Sequence, residues 1–417
     1  MRILIWHGYL LDGTGSNIFT QSIARELSSQ GHDVTVLSQD ADPARFDLGG
    51  ARAVRPPMDG DLPVFVLDQY SDMTPRLLQD FASEEREHFV QQAAEVIRLQ
   101  GPADFLITNH LLMGAPVGAA SGLPFAVMVH GSELEFAMSG NPELIQWAVA
   151  SLRQAHAVIA GSLHIVHRLR EVVGPGDYEH NVHVVAPGVD TQRLHPQSPD
   201  EALTSLIAQC QLDPPNSNRS NYRLPDPGNA DRLTAFLSDQ QPTVVYVGKL
   251  SKEKGVDLLM RALLDVPARA VIAGFGPLRE ELEAECGSSV LFTGPLGHRH
   301  LAHLWPLATV SVVPSVLPEA FGLVAAEAAA CGSPPLVAFH AGLAEVAMGL
   351  SENYPTAQAH LTRFRVGDVR DLATKMREIV ALPSPIHDRV AQAARKTAVE
   401  RWGLETTAER LVQIMSR

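Results

Sequence analysis

The sequence predicts an α/β protein built from two doubly wound halves, each a parallel sheet with helices on both faces. Short apolar runs alternate with longer amphipathic stretches along the whole chain, the pattern of buried parallel strands joined by helical crossovers. At 417 residues the chain is longer than one hydrophobic core comfortably fills, so two domains are expected. The alternation lapses only once, between residues 196 and 241. Pro214, Pro215, Asn216, Asn218, Asn221, Pro225, Pro227 and Gly228 crowd that stretch, making a compact helix improbable there and a long functional or mobile loop the natural reading.

In chain order, the first half offers strands at residues 2–7, 33–38, 64–67, 104–108, 126–129, 157–160 and 182–185. After the first comes a helical pattern over 17–29, with Ile18, Ile23, Ala24 and Leu27 on one face and Gly31 just past its end, as a C-terminal cap requires. Residues 186–190 read as a turn out of this half. A second series runs at 244–247, 270–273, 290–293, 310–313 and 335–338, each followed by a helical pattern. The expected domains are residues 1–190, a linker and irregular insertion at 191–241, a second domain at 242–385, and final helices at 386–417. Ligands of such sheets bind beyond the carboxyl ends of the strands.

Composition narrows the function. A formal net charge of −14 argues against nucleic acid and anionic lipid surfaces as partners, so bound phosphates must be met by a few placed cations and backbone amides. Cys210, Cys286 and Cys331 are odd in number and widely spaced, which suggests neither a disulfide framework nor a metal cluster and fits a cytoplasmic location. The opening Met1-Arg2-Ile3-Leu4-Ile5-Trp6 is too short an apolar run for a signal peptide and reads as a strand. No stretch approaches a membrane span.

Four segments could carry chemistry. The first is Pro318-Glu319-Ala320-Phe321-Gly322-Leu323-Val324-Ala325-Ala326-Glu327. Glu319 precedes a helix whose first amides, at Phe321, Gly322 and Leu323, would point outward as an anion site. Glu327 follows roughly 12 Å along the helix, beyond the about 5–9.5 Å of a glycosidase carboxylate pair. The two acids therefore suit different parts of one long ligand, although an acidic helix start with a chance second acid also accounts for them.

The second segment, Gly248-Lys249-Leu250-Ser251-Lys252-Glu253-Lys254-Gly255, sets ammonium groups at a strand-to-helix turn. It suits a phosphate clamp, lacks the P-loop spacing, and reads equally as a solvated lysine turn. The third, Asp12-Gly13-Thr14-Gly15-Ser16-Asn17, fails the dinucleotide fingerprint for want of a third glycine. It fits a backbone passing close to phosphate or sugar, with Ser16 or Asn17 as helix cap, or a plain tight turn. The fourth, Val129-His130-Gly131-Ser132-Glu133, puts a histidine at a strand's carboxyl end, which favours His130 over His7 and His110 as a hydrogen-bond or proton donor. Turns at Gly294-Pro295-Leu296 and Gly274-Phe275-Gly276 share the same rim and could edge a nucleobase.

Together these segments resemble the retaining glycosyltransferases of family four, which have the GT-B fold. The resemblance covers nearly the whole chain apart from the insertion, and the motifs occur in the family's order. Its most specific part is the Glu319 to Glu327 stretch with Ala330-Cys331-Gly332-Ser333-Pro334, similar to the family's E-x7-E element and the turn after it. The resemblance implies that Glu319, Ala320, Phe321, Gly322 and Leu323 hold the donor sugar and diphosphate. Glu327 would hold the ribose, Lys249 and Lys254 the diphosphate, and Leu296 the base through its backbone. Gly15 and Ser16 would lie near the donor phosphates or acceptor, and His130 near the donor sugar, so that His130 and Glu319 are the expected catalytic residues. Arg401-Trp402 resembles the family's tail that returns to the first domain. Where Lys249 stands the family usually has arginine, and lysine lacks the bidentate fork.

The resemblance further implies front-face transfer with retention from a nucleotide diphosphate sugar, with uridine the expected base, and neither metal nor other cofactor. His110, Glu133 and Glu135 are expected to line the acceptor site, and a small soluble acceptor suits an acidic chain without a basic amphipathic helix. Other readings remain. Asp40-Ala41-Asp42 and Asp59-Gly60-Asp61 match the DxD string of metal-dependent transferases but lie apart from the phosphate-type motifs. A nicotinamide-dependent oxidoreductase shares the two-halved fold, a nucleotide-sugar 2-epimerase shares fold and donor, and a non-catalytic sugar-nucleotide sensor would share the binding residues alone.

Overall fold

The computed structural model describes residues 1–11, 15–65 and 73–417, with the side chain of Asn218 left aside. It divides into two compact units. Unit 1 is Met1–Gly188 with Leu404–Arg417, and unit 2 is Val189–Gly403.

Unit 1 begins with β1 (Arg2–Trp6), α1 (Gly15–Ser29), β2 (Asp33–Leu37), β3 (Arg52–Val54), and the short pair β4 (Leu62–Val64) and β5 (Pro75–Leu77). It continues through α2 (Ser83–Leu99), β6 (Phe105–Asn109), α3 (Leu111–Ser121), β7 (Phe125–Val129), α4 (Pro142–Leu152), β8 (Ala157–Ala160), α5 (Leu163–Val173) and β9 (Val182–Val184). A π-helical turn at Leu134–Met138 follows β7. Seven strands form one parallel sheet in the order β3-β2-β1-β6-β7-β8-β9, with Ile3 opposite both Val34 and Phe105. Ile3, Leu4, Ile5 and Trp6 are all fully buried, as a strand covered on both faces demands.

Unit 2 contains α6 (Pro199–Gln211), α7 (Asn229–Phe236), β10 (Thr243–Val247), α8 (Val256–Leu263), β11 (Arg269–Ala273), α9 (Arg279–Glu285), β12 (Val290–Gly294) and α10 (His298–Leu304). Then come β13 (Val310–Val313), α11 (Leu323–Ala330), β14 (Pro335–Ala338), α12 (Ala341–Asn353), β15 (Arg363–Phe364), α13 (Val369–Val380) and α14 (Ser384–Trp402). Its parallel sheet has the order β12-β11-β10-β13-β14-β15. The last helix, α15 (Leu404–Met415), belongs to unit 1, where Leu404, Ala408 and Leu411 join the core of Ile3, Phe19 and Phe105.

Three expectations are corrected. The stretch 196–241 is irregular only in part, since two helices, α6 and α7, flank a loop at residues 212–228 that carries the prolines and asparagines. Ser198 caps α6 with its side chain, Glu201 returns the bond to the Ser198 amide, and Pro199 occupies the first turn, where no donor is missed. Both α6 and α7 are part of unit 2, so 191–241 is no separate linker. The return to unit 1 starts at Leu404 instead of residue 386, because α14 buries Val390, Ala394 and Trp402 within unit 2. There Arg395 donates to the carbonyls of Thr191, Leu194 and Ala330 at 2.6–2.8 Å. Finally, α1 already starts at Gly15, so Ser16 and Asn17 lie within its first turn and do not precede it as caps. No helix among the described residues is long and apolar enough to cross a membrane.

Candidate functional site

In each sheet the strand order reverses once, at β1/β6 in unit 1 and at β10/β13 in unit 2. Crossover helices leave to opposite faces at such a point, which opens a crevice beyond the strand ends. The residues singled out from the sequence cluster at these two places.

In unit 2, β10 runs into the lysine turn and β13 into the Glu319 segment. The two loops are tied together. Val316 N and Leu317 N donate to Glu253 O at 2.9 and 3.0 Å, and Lys254 Nζ lies 2.9 Å from Glu319 Oε1. Ser315 Oγ donates to the same carboxylate oxygen, and His340 Nε2 bonds Ser315 O at 2.9 Å. Lys249 is exposed, while its carbonyl accepts from the buried Tyr246 hydroxyl at 2.8 Å. Burial, with the Glu319 carboxylate nearby, keeps that phenol protonated far above its ordinary range.

Beyond Glu319 the backbone turns at Gly322, whose φ of +117° admits glycine readily, and α11 starts at Leu323. The turn is braced by α12. Gly342 N donates to Glu319 O at 2.9 Å, and a Cβ at Gly342 would come within 2.5 Å of Ala320 O. Phe321 is buried edge-on against Trp402, ring centres 5.9 Å apart. The early amides of α11 therefore follow a carboxylate already paired with an ammonium, an arrangement suited to anions. Further along α11, Glu327 is almost buried and its Oε1 lies 2.9 Å from His298 Nε2 on α10. Leu296, in the loop before α10, is buried.

In unit 1, His7 follows β1, His110 follows β6 and His130 follows β7. Three strand ends thus bring together three histidines that are far apart in sequence. The rings of His110 and His130 lie 4.8 Å apart and those of His7 and His110 6.3 Å apart. His7 Nε2 faces Leu10 O and Asn17 Oδ1, both at 2.9 Å, and His130 Nε2 lies 2.7 Å from Asn109 Oδ1. His110 has φ +65°, uncommon for a residue with a side chain. It is held by its own amide, bonded to Met128 O, and by its carbonyl, which accepts from Gly114 N. Burial, then mutual repulsion with His110, holds both His7 and His130 down to about 3, so both rings are neutral at pH 7.

Glu133 underlies this array. Expected at the acceptor's edge, it is instead completely buried and so lines no surface. Its carboxylate takes the Leu111 amide at 3.0 Å, the His130 amide at 3.4 Å and His110 Nδ1 at 3.3 Å. Burial alone would raise this acid. The His110 hydrogen bond, the electrostatic attraction of His110 and His130, and the Leu111 amide outweigh it and bring Glu133 to about 2. His110 is also buried, contrary to a lining role, and its Nε2 has no partner. Glu135 is partly exposed and pairs with Arg168 at 2.6 and 3.0 Å.

The sequence reading missed His298 and Ser315 as partners of the two glutamates, and it ranked His7 and His110 below His130 although the fold gathers all three. Of the glycine loop, Asp12, Gly13 and Thr14 lie outside the described residues. Gly15 and Ser16 open α1, and the Ser16 carbonyl accepts from Thr20 Oγ1 at 2.8 Å. Asp40 of one DxD string is buried and accepts the Leu11 amide, and Asp61 of the other pairs with Arg76. Among the described residues, Cys210, Asp213 and His300 carry donor atoms within 4.8 Å of one another. Asp213 is already engaged by His300 at 2.9 Å and by Arg299, so this group reads as an ion network joining α6 to α10.

Two family models match the chain, "Glycosyltransferase Family 4" over residues 13–193 and "Glycosyl transferases group 1" over residues 241–381. The chain is 27% identical over 369 residues to D-inositol 3-phosphate glycosyltransferase 1 of Catenulispora acidiphila, spanning 80% of this chain and 76% of that one. It is 40% identical over 139 residues to the GDP-mannose-dependent alpha-(1-6)-phosphatidylinositol dimannoside mannosyltransferase of Mycobacterium tuberculosis, 31% of this chain and 36% of that one. Among solved structures, Anabaena HepE in complex with UDP-glucose superposes with a TM-score of 0.70 at 17% identity over the full length of both chains. That likeness fixes the GT-B architecture.

Proposed function

The chain belongs to the family-four glycosyltransferases, and from that premise we propose that it transfers a sugar, with retention and without a metal, from a uridine diphosphate donor to a small soluble acceptor. The observation that carries the donor assignment is the Lys254–Glu319 pair in the loop just before α11, with Glu327 at the fifth residue of that helix. In this reading Glu319 accepts hydrogen bonds from sugar hydroxyls, and the amides of Ala320 to Leu323 take the phosphates. Lys254 and Lys249 meet the charge that grows on the leaving diphosphate, which is electrostatic stabilisation at the place where charge develops. Glu327, oriented by His298, accepts from the ribose hydroxyls, and the backbone at Leu296 meets the base.

To His130 we assign a hydrogen bond to the transferred sugar. With its Nε2 proton given to Asn109 Oδ1, the neutral imidazole accepts from a sugar hydroxyl at Nδ1 without adding a positive charge beside an oxocarbenium-like transition state. The acceptor hydroxyl attacks the anomeric carbon on the face from which the diphosphate departs, and its proton passes to the leaving phosphate oxygen. HepE in its UDP-glucose complex supports the uridine donor. The name of the mycobacterial relative favours a guanosine donor, and the Catenulispora relative makes inositol 3-phosphate the first acceptor to try.

The test measures transfer and donor hydrolysis with UDP- and GDP-sugars for the unaltered chain and for Glu319→Gln, Lys254→Ala and Glu327→Ala, with and without EDTA. Transfer that survives all three substitutions unchanged would refute the site. Activity abolished by EDTA would refute metal independence, and inversion at the anomeric carbon would refute retention. Turnover of the sugar nucleotide with no acceptor present would point to the epimerase instead.

A further inference from the structure

The segment before α7, between residues 216 and 228, is built onto the sheet of unit 2 with a density of bonds that a connecting loop does not require. Asp226 is almost buried, and three guanidinium groups converge on its Oδ2: Arg279 at 2.6 Å, Arg232 at 3.4 Å and Arg219 at 3.7 Å. Its amide donates to Thr293 O at 2.8 Å, and Asn229 Nδ2 donates to the same carbonyl at 2.8 Å. Thr293 is next to last in β12, so the segment is fastened to the carboxyl end of that strand. Asn216 closes it from within, its Nδ2 reaching the carbonyls of Asn221, Leu224 and Pro225 at 2.9–3.4 Å.

What this strap presents is aromatic. Tyr222 is exposed, and its ring centre lies 5.5 Å from that of Phe275, between Gly274 and Gly276 just beyond β11. The Arg223 guanidinium lies 5.7 Å from the Tyr222 ring centre and 5.6 Å from that of Phe275. In the sheet β11 stands between β10, whose loop carries Lys249 and Lys254, and β12, whose loop carries Leu296. The aromatic pair is thus at the strand end that separates the phosphate-facing loop from the base-facing loop. An exposed tyrosine beside a half-buried phenylalanine, with a guanidinium near both rings, offers a nucleobase a stacking surface, and an exposed tyrosine fixed by buried ionic anchors has no evident role in the fold.

We infer that residues 216–226 form the nucleobase wall of the donor site, with Tyr222 and Phe275 as stacking faces, and that this strap sets the base preference. The inference rests on the donor assignment proposed above. It gives the one segment that the sequence marks as anomalous a task in substrate selection.

The experiment is calorimetric titration of the full chain with UDP, GDP, ADP and inorganic pyrophosphate, for the unaltered protein, Tyr222→Ala and Tyr222→Phe. Loss of one stacking face should weaken the preferred nucleotide about tenfold and narrow the spread among bases. Tyr222→Phe should stay within about twofold, since the ring remains, and pyrophosphate binding should be the same in all three proteins. Unchanged nucleotide affinities and ranking in Tyr222→Ala would overturn the inference, as would an equal loss for pyrophosphate. No nucleotide binding by the unaltered chain would sink the donor assignment itself and this inference with it.

Discussion

At the end of the unit 1 sheet, two buried histidines and a half-buried third gather around a buried carboxylate, while at the end of the unit 2 sheet a lysine and a glutamate pair within reach of solvent. The contrast lies in how each site fixes a charge. Glu133 has no exposure and is surrounded by the Leu111 and His130 amides and the His110 ring, so it acts only through the histidines it orients. Glu319 keeps partial exposure and holds Lys254 at 2.9 Å, so its oxygens can exchange one partner for another. Buried charge gives rigid geometry at a cost in desolvation, whereas a half-exposed ion pair gives adaptable binding.

The strongest way to break this comparison is at Glu319 and Lys254. Glu319→Gln or Lys254→Ala should lower transfer about 10²–10³-fold in a steady-state assay with thermal stability nearly unchanged. A comparable loss of stability would mean that the pair holds the fold instead. His130→Ala comes next. A lost hydrogen bond to the sugar should lower kcat about 10²-fold with little change in donor KM, and a KM effect alone would remove His130 from the reaction. Glu327→Ala should do the reverse, raising donor KM about tenfold through a lost charged hydrogen bond and leaving kcat within about threefold.

A subtler test concerns acid. His7 and His130 have folded values near 3 against an ordinary 6.5, so the unfolded chain binds more protons than the folded one between those limits. Their contribution to stability is whole above pH 6.5 and shrinks as pH falls towards 3. Melting at pH 5 should fall about 5 °C below melting at pH 7, and His7→Asn should make that slope shallower. An identical slope in the variant would show that the array is not what senses acid. The smallest effect is expected at Glu135, whose pair with Arg168 is partly exposed. Glu135→Gln should change stability by at most about 1 kcal/mol, and a larger loss of transfer would restore it to the acceptor site.

The fold was legible because parallel strands buried on both faces write themselves as unbroken apolar runs, as β1 and β10 do. The Glu319 to Glu327 element was legible because all of its parts are contiguous, although the helix starts only at Leu323, after the turn at Gly322, and so spans just the second half of the interval between the two acids. His298 was not, since it meets Glu327 only after the sheet has brought α10 beside α11, and Ser315 was not, since its contact with Glu319 four residues on depends on a loop turn that the sequence does not announce. His7 and His110 were passed over because only the strand order, with β1 beside β6 and β6 beside β7, makes neighbours of residues more than a hundred positions apart. The prolines and asparagines at 214–228 do mark a loop, but the irregular reading extends too far on both sides of it, over α6 and α7. Ser198-Pro199-Asp200-Glu201 was a helix start in plain view, but the crowding of turn residues after it outweighed that signal.

The brace between α12 and the Glu319 turn means that the first turn of α12 acts as a mould for the loop proposed to hold the sugar. A single added methyl at Gly342 would be a wedge against the Ala320 carbonyl, reshaping that loop without touching any group that meets the donor. In a mutagenesis library, position 342 should therefore score among the catalytic residues, and efforts to retune sugar choice would do better to vary the outward side of α12 and leave its glycine alone.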